Sequence, residues 1–173
     1  KGLQAGIRQC LQSMLEAGEL VVLRVESLDS VWYSTPAQLE GLPRLRVRKS
    51  VHLLSPFDNF VIKRGRIQQL FGSEYKLECF VPAKQRRFGY FCLPILYGTE
   101  LIGRLDPKAD RRRAVLLIQS FQLERDVPDM ERCIAELAAK LQQLAEFNDC
   151  TRVDWQPKAG DQAGHLLAQH LQG

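Results

Sequence analysis

Tyr90-Phe91-Cys92-Leu93-Pro94-Ile95-Leu96-Tyr97-Gly98-Thr99-Glu100-Leu101-Ile102-Gly103-Arg104-Leu105 is two apolar, β-prone runs hinged at Tyr97-Gly98-Thr99, where a glycine lets the chain reverse. The pattern predicts an antiparallel strand pair, and the flanking sequence extends it. Upstream, Tyr75 to Val81 has the same character and reaches the first run through Pro82-Ala83-Lys84-Gln85-Arg86-Arg87-Phe88-Gly89, expected to be a basic hairpin tip. Downstream, a polar loop from Asp106 to Arg113 leads to a further predicted strand, Ala114 to Gln122. With a short helix from Lys63 to Phe71, closed by Gly72, the result is a β-meander carrying one helix.

The outer segments change period. After Pro128, the residues Met130, Cys133, Ile134, Leu137, Leu141 and Leu144 form a helical stripe suited to covering one face of the sheet. Thr151 to Trp155 offers a last strand, and residues 157–173, with His165 and His170, read as a weakly helical, peripheral tail. At the other end, Leu3, Ile7, Leu11, Met14 and Leu15 line one side of a predicted helix capped by Gly18. Strands are expected at Leu20–Val25 and Val31–Ser34, around the polar stretch Glu26-Ser27-Leu28-Asp29-Ser30. Helix, strand, loop, strand is the order of the second half of a winged helix, whose helix would present Gln and Arg side chains to a major groove. Thr35-Pro36-Ala37-Gln38 predicts a capping box on a short helix ended by Gly41. Arg44-Leu45-Arg46-Val47-Arg48 alternates basic and apolar residues, as a linker strand would. The expectation is an α+β chain. Residues 1–42 form a partial winged helix, 43–156 an antiparallel β-meander or barrel-like domain with a covering C-terminal helix, and 157–173 a tail.

A content of 45% hydrophobic and 25% charged residues in 173 is enough for a real core. No apolar run approaches the roughly 20 residues needed to span a bilayer. The start at Lys1-Gly2, without an initiator Met or a leader, reads as a piece of a longer polypeptide. Cys10, Cys79, Cys92, Cys133 and Cys150 are odd in number and lack zinc-finger spacing, so reduced, core-filling thiols in a cytoplasmic protein are expected. There is no phosphate-binding glycine loop, dinucleotide fingerprint, paired-His metal helix or serine elbow. His52, His165 and His170 stand apart from other ligand types, so no metal or other cofactor is expected. Asp58, Glu78, Asp106 and Asp110 are read as structural acids, with Glu78 a counter-ion to neighbouring arginines.

Charge is distributed unevenly. Residues 44–113 hold 16 Lys/Arg against 6 Asp/Glu, whereas the remainder has 8 against 14. Such a field attracts polyanions, and duplex DNA is the partner it fits. The candidate contacts are Lys84, Arg86 and Arg87, with Phe88 as an aromatic neighbour, joined by Lys63, Arg64, Arg66, Arg104, Lys108 and Arg111 if the meander brings them together.

One string adds to this reading: Leu53-Leu54-Ser55-Pro56-Phe57-Asp58, Arg64, Arg66, Leu70-Phe71, Tyr75, Glu78, Val81-Pro82, Arg87, Gly89-Tyr90, Leu93-Pro94, Gly98, Gly103-Arg104, Asp106 and Lys108-Ala109-Asp110-Arg111. It closely resembles the C-terminal part of the YcaQ-like winged-helix DNA glycosylases, the AlkZ relatives, over residues 1–125 and most densely over 53–111. Asp58-Asn59-Phe60 departs from it, since relatives often have proline after the aspartate. The resemblance implies a bacterial repair enzyme of tandem winged helices and a β-rich domain, which hydrolyses the N-glycosidic bond of N7-alkylguanines and unhooks interstrand crosslinks without metal or organic cofactor; a monomer is expected. It also implies that the catalytic glutamine motif lies in N-terminal winged-helix domains of the same protein, a role that no residue here inherits. The rival readings are a non-enzymatic winged-helix regulator with a β-rich ligand or dimerisation domain, and a module whose basic patch meets an acidic protein.

Overall fold

The structure, a computed structural model, describes residues 2–26, 28 and 30–172; Ser27 and Asp29 of the polar stretch, with Lys1 and Gly173, lie outside the described residues. The chain divides into two compact units, residues 1–47 and 48–173; the sequence had placed its division near Leu42.

In the first unit, helix α1 (Gly2–Glu16) precedes a two-stranded antiparallel sheet of β1 (Val21–Arg24) and β2 (Val31–Ser34). Helix α2 (Pro36–Gly41) starts as the sequence predicts. The Thr35 hydroxyl accepts from the Gln38 N–H at 3.3 Å, and the Gln38 side chain accepts in return from the Thr35 N–H. A 3₁₀ turn over Leu42–Arg44 follows, and residues 45–50 form no strand, contrary to the linker strand expected at Arg44–Arg48. Their side chains are exposed from Leu45 to Lys49, so no sheet partner is at hand to take up the alternation.

The second unit is built on a five-stranded sheet in the order β3 (Val51–Leu53), β4 (Leu93–Tyr97), β5 (Glu100–Asp110), β6 (Val115–Leu123) and β7 (Arg152–Asp154). The first four strands are antiparallel neighbours, the meander expected, but β7 joins β6 in parallel. The sheet is therefore mixed. The stretch from Asp106 to Arg113 is not a polar loop, because β5 runs on to Asp110 opposite β6. Pro107 falls where the register shifts between Asp106 and Pro107, the kind of irregularity at which a strand accommodates proline.

The opposite correction applies upstream. Tyr75–Val81 is not a strand, β4 begins only at Leu93, and Pro82–Gly89 is not a hairpin tip but a 3₁₀ turn at Ala83–Gln85 followed by irregular chain. Helix α3 (Arg64–Phe71) ends in Gly72 at φ 62°, and the Arg125 guanidinium donates to the Phe71 carbonyl at that end.

Helix α4 (Met130–Phe147) lays the predicted stripe on one face of the sheet. Cys133, Ile134, Leu137, Ala138 and Leu141 are buried against Val51, Ile95, Ile102, Leu105, Leu116 and Phe121. Each fully buried Leu or Ile contributes about 1.5–3 kcal/mol. Residues 157–173 are not a peripheral tail: helix α5 (Gln162–Gln172) docks with Leu167 fully buried, and the Trp155 indole N–H donates to the Gly164 carbonyl at 3.0 Å. A second, smaller cluster of Val61, Ile67, Tyr75 and Leu101, with Leu96 beside it, packs α3 and its flanks. Of the cysteines, Cys92, Cys133 and Cys150 are buried as core filler, whereas Cys10 is exposed. Among the described residues, no helix is long and apolar enough to cross a membrane.

Candidate nucleic-acid interface

Two carboxylates explain the irregular segment. Glu78 is 7% exposed, and it accepts from the backbone N–H groups of Arg87 (3.0 Å), Phe88 (2.8 Å) and Gly89 (3.3 Å). Asp106, 2% exposed on β5, accepts from the N–H groups of Tyr90 (2.5 Å) and Phe91 (3.0 Å). Main-chain donors that a strand would direct to a neighbour are thus satisfied by acids, and the β-prone residues 90–91 stay out of the ladder. The structural role expected for both acids is what is observed, but Glu78 serves backbone amides rather than arginine side chains. Burial alone would raise the Glu78 pKa; the N–H groups of Phe88, Arg87 and Gly89 outweigh it and hold the carboxyl below its ordinary value. Gly89 is required where it stands: at φ 152° a Cβ would lie 2.3 Å from Asp106 Oδ2. The Ser120 hydroxyl, on β6, completes the anchorage by donating to the Phe88 carbonyl.

Arg104 lies beneath this loop and leaves the set of surface contacts. It is 4% exposed, paired through Nε with Glu124, and donates from Nη2 to the Glu74 carbonyl at 2.9 Å. The Glu124 contact is a close charge pairing out of hydrogen-bond alignment, and Nη1 has no hydrogen-bond partner. The guanidinium sits 3.9 Å from the centroid of the Phe88 ring and 5.7 Å from that of Tyr75. Tyr75 in turn donates to the Cys92 carbonyl at 2.7 Å, and burial, with the Asp106 charge nearby, pushes the Cys92 thiol up to about 12.

Two other cations, Arg64 and Arg87, share the aromatic rings of Arg104. Arg87 stacks 4.8 Å from Phe88, and Arg86 lies 4.9 Å from Tyr90 while its Nε donates to the Val81 carbonyl at 2.8 Å. Lys84 is exposed on the 3₁₀ turn. At α3, Lys63 is the N-cap residue, Arg64 lies 5.9 Å from the Tyr75 ring, and Arg66 donates to the Asn59 carbonyl at 3.1 Å. A chain of stacked groups, Arg64, Tyr75, Arg104, Phe88 and Arg87, therefore links the start of α3 to the loop. Lys108 follows Asp106 by two residues on the same face of β5, roughly 7 Å along the strand. With Arg111 and Arg112 it lines a 420 Å³ depression at the β5–β6 turn. Ring contacts thus place Arg64 and Arg87 about the buried Arg104, with Arg86 next in the chain to Arg87, whereas Lys108 and Arg111 line the depression at the β5–β6 turn and Lys63 and Lys84 stand on α3 and the 3₁₀ turn. Arg104 apart, none of these cations forms an ion pair with a carboxylate among the described residues.

Sequence reasoning missed Tyr75 and Ser120 as supports and the five-amide grip itself. The available signal was Glu78 and Asp106, two acids in a basic region with no cation at helical or cross-strand spacing, and a glycine placed between two aromatic residues.

Cations left without counter-ions on a rigid support define a polyanion-binding α+β chain. A family model described as DNA glycosylase AlkZ-like matches residues 2–147, and the chain belongs to that family. DNA repair is accordingly its field, and DNA the polyanion it meets. No solved structure matches the chain.

Proposed function

We propose that this chain is the duplex-holding part of a monofunctional glycosylase that excises N7-alkylguanine and unhooks interstrand crosslinks by hydrolysing the N-glycosidic bond. The observation that carries the reading is the loop of residues 86–91, whose arginines are free of carboxylate partners while its backbone is fastened from below. Lys63, Arg64, Arg66, Lys84, Arg86, Arg87, Lys108 and Arg111 neutralise backbone phosphates in this reading, and Arg104 supports them from within. Contacts of that kind position a duplex without reading its sequence, as lesion repair requires. An open face suits a crosslinked base, which is tied to both strands and is not easily turned into a tight pocket. Helix α1 with β1 and β2 serves as the later half of a winged helix. The preceding winged-helix domains of the same polypeptide supply the glutamine motif that activates water, and the whole acts as a cytoplasmic bacterial monomer.

Excision from duplex DNA carrying N7-methylguanine, assayed in parallel for this chain and for the full-length parent, tests the division of labour. The parent is expected to release the base, while the chain alone binds the duplex and releases none. Product from the isolated chain would overturn the assignment of catalysis elsewhere, and failure of the chain to bind duplex DNA would overturn the holding role.

A further inference from the structure

We propose that Glu78 and Asp106 are positioning residues for DNA binding, buried carboxylates that never touch the nucleic acid yet set its affinity by holding the arginine-bearing loop in one conformation. The inference rests on the reading of that loop as a contact surface and adds the device that makes it effective.

Five consecutive N–H groups, from Arg87 to Phe91, turn inward onto two side chains. In a free segment those amides would face water, and the residues would sample many backbone states that binding would have to freeze. Here the freezing is done before DNA arrives, so the loop presents Arg86 and Arg87 at little further entropic cost. The acids are not spent as counter-ions, because neither forms an ion pair with either arginine. Their acceptor capacity goes to the main chain, and the cations outside keep their full charge. Gly89 fits the same account, since a side chain there would strike Asp106 and push the loop off its support.

Two roles for these acids predict opposite signs. A carboxylate that influences DNA only through its charge repels the phosphates, so neutralising it tightens binding. One that positions the loop weakens binding when neutralised, because an amide in its place offers one acceptor oxygen and points N–H donors at other donors.

The experiment uses the whole chain and an unmodified duplex oligonucleotide, with affinity followed by fluorescence anisotropy over a range of salt concentrations. The variants are Glu78→Gln, Asp106→Asn, Arg86→Ala and Arg87→Ala, and native-state amide exchange is recorded for each. We expect both acid variants to weaken binding about tenfold, with a salt dependence shallower by about one to two units as the two arginines lose their phosphates. Amides 87–91 should lose protection while those of β5 and β6 keep theirs. Tighter or unchanged binding in a variant whose loop amides have been released would overturn the proposal. So would loss of β5 and β6 protection in both acid variants, which would make the acids parts of the core. A salt dependence lowered by the arginine variants but not by the acid variants sinks the positioning role alone. If the arginine variants leave it unchanged, the loop is no contact, and the function proposed above fails with it.

Discussion

Residues 1–47 and 48–173 obey different rules. In the first unit no described residue is buried, and Leu3, Ile7, Val31, Leu42, Leu45 and Val47 are among the exposed large hydrophobics. In the second, Ile67, Ile95, Leu105, Ile134, Leu137 and Leu141 are sealed from solvent. The first unit has helices and strands without a core; the second has a core that overrides local preference. Helices and hairpins are written by short-range chemistry, whereas their stability comes from what they bury.

The sharpest way to break the comparison is to separate the units. A peptide of residues 1–47 should show no cooperative thermal transition, while residues 48–173 alone should melt cooperatively and keep the far-ultraviolet signature of a folded α+β chain. A sigmoidal melt for the first peptide would show that the unit has a core of its own. Next in size is a pair of equivalent truncations read by urea denaturation. Leu141→Ala should cost about 2–5 kcal/mol, and Ile7→Ala within about 0.5 kcal/mol of nothing. Similar costs would erase the contrast.

The smallest effect concerns the acid grip. Because the folded-state pKa of Glu78 is depressed, its stabilising contribution is fully present above the unfolded glutamate value of about 4.3 and disappears only as pH falls through the lower folded value. Exchange protection of amides 87–89 should therefore survive at pH values near the ordinary glutamate range and fade below it. Loss of that protection already between neutral pH and the ordinary range would contradict the depressed pKa.

The same contrast shows what could be read in advance. Helix α1, the β1–β2 pair and the capping box of α2 follow from neighbours within a few residues, and all three appear where the sequence places them. The stripe of α4 was equally legible, because its period depends only on itself. Tyr75–Val81 was not: its β-branched and aromatic residues favour a strand, but Glu78, in its midst, takes amides ten residues away and fixes an irregular path. Asp106-Pro107-Lys108 looked like loop chemistry and became strand, since the polar residue found its donors in another segment and the proline fell at a shift of register. The excess of basic residues over 44–113 was legible as composition, but the burial of Arg104 among them was not. Only the fold puts Phe88 above that guanidinium and Glu124 beside it.

The turn that carries Arg111, Arg112 and Arg113 closes with Ala114 at φ 51°, a backbone state usually left to glycine or asparagine. Its carbonyl is caught by the backbone N–H of Thr151 at 2.8 Å and by the Thr151 hydroxyl at 3.1 Å. Thr151 stands beyond residue 147, where the match to the family ends. The turn that bears three arginines is thus tied down from a stretch that lies past the matched residues, so its anchor and its charge belong to different parts of the chain.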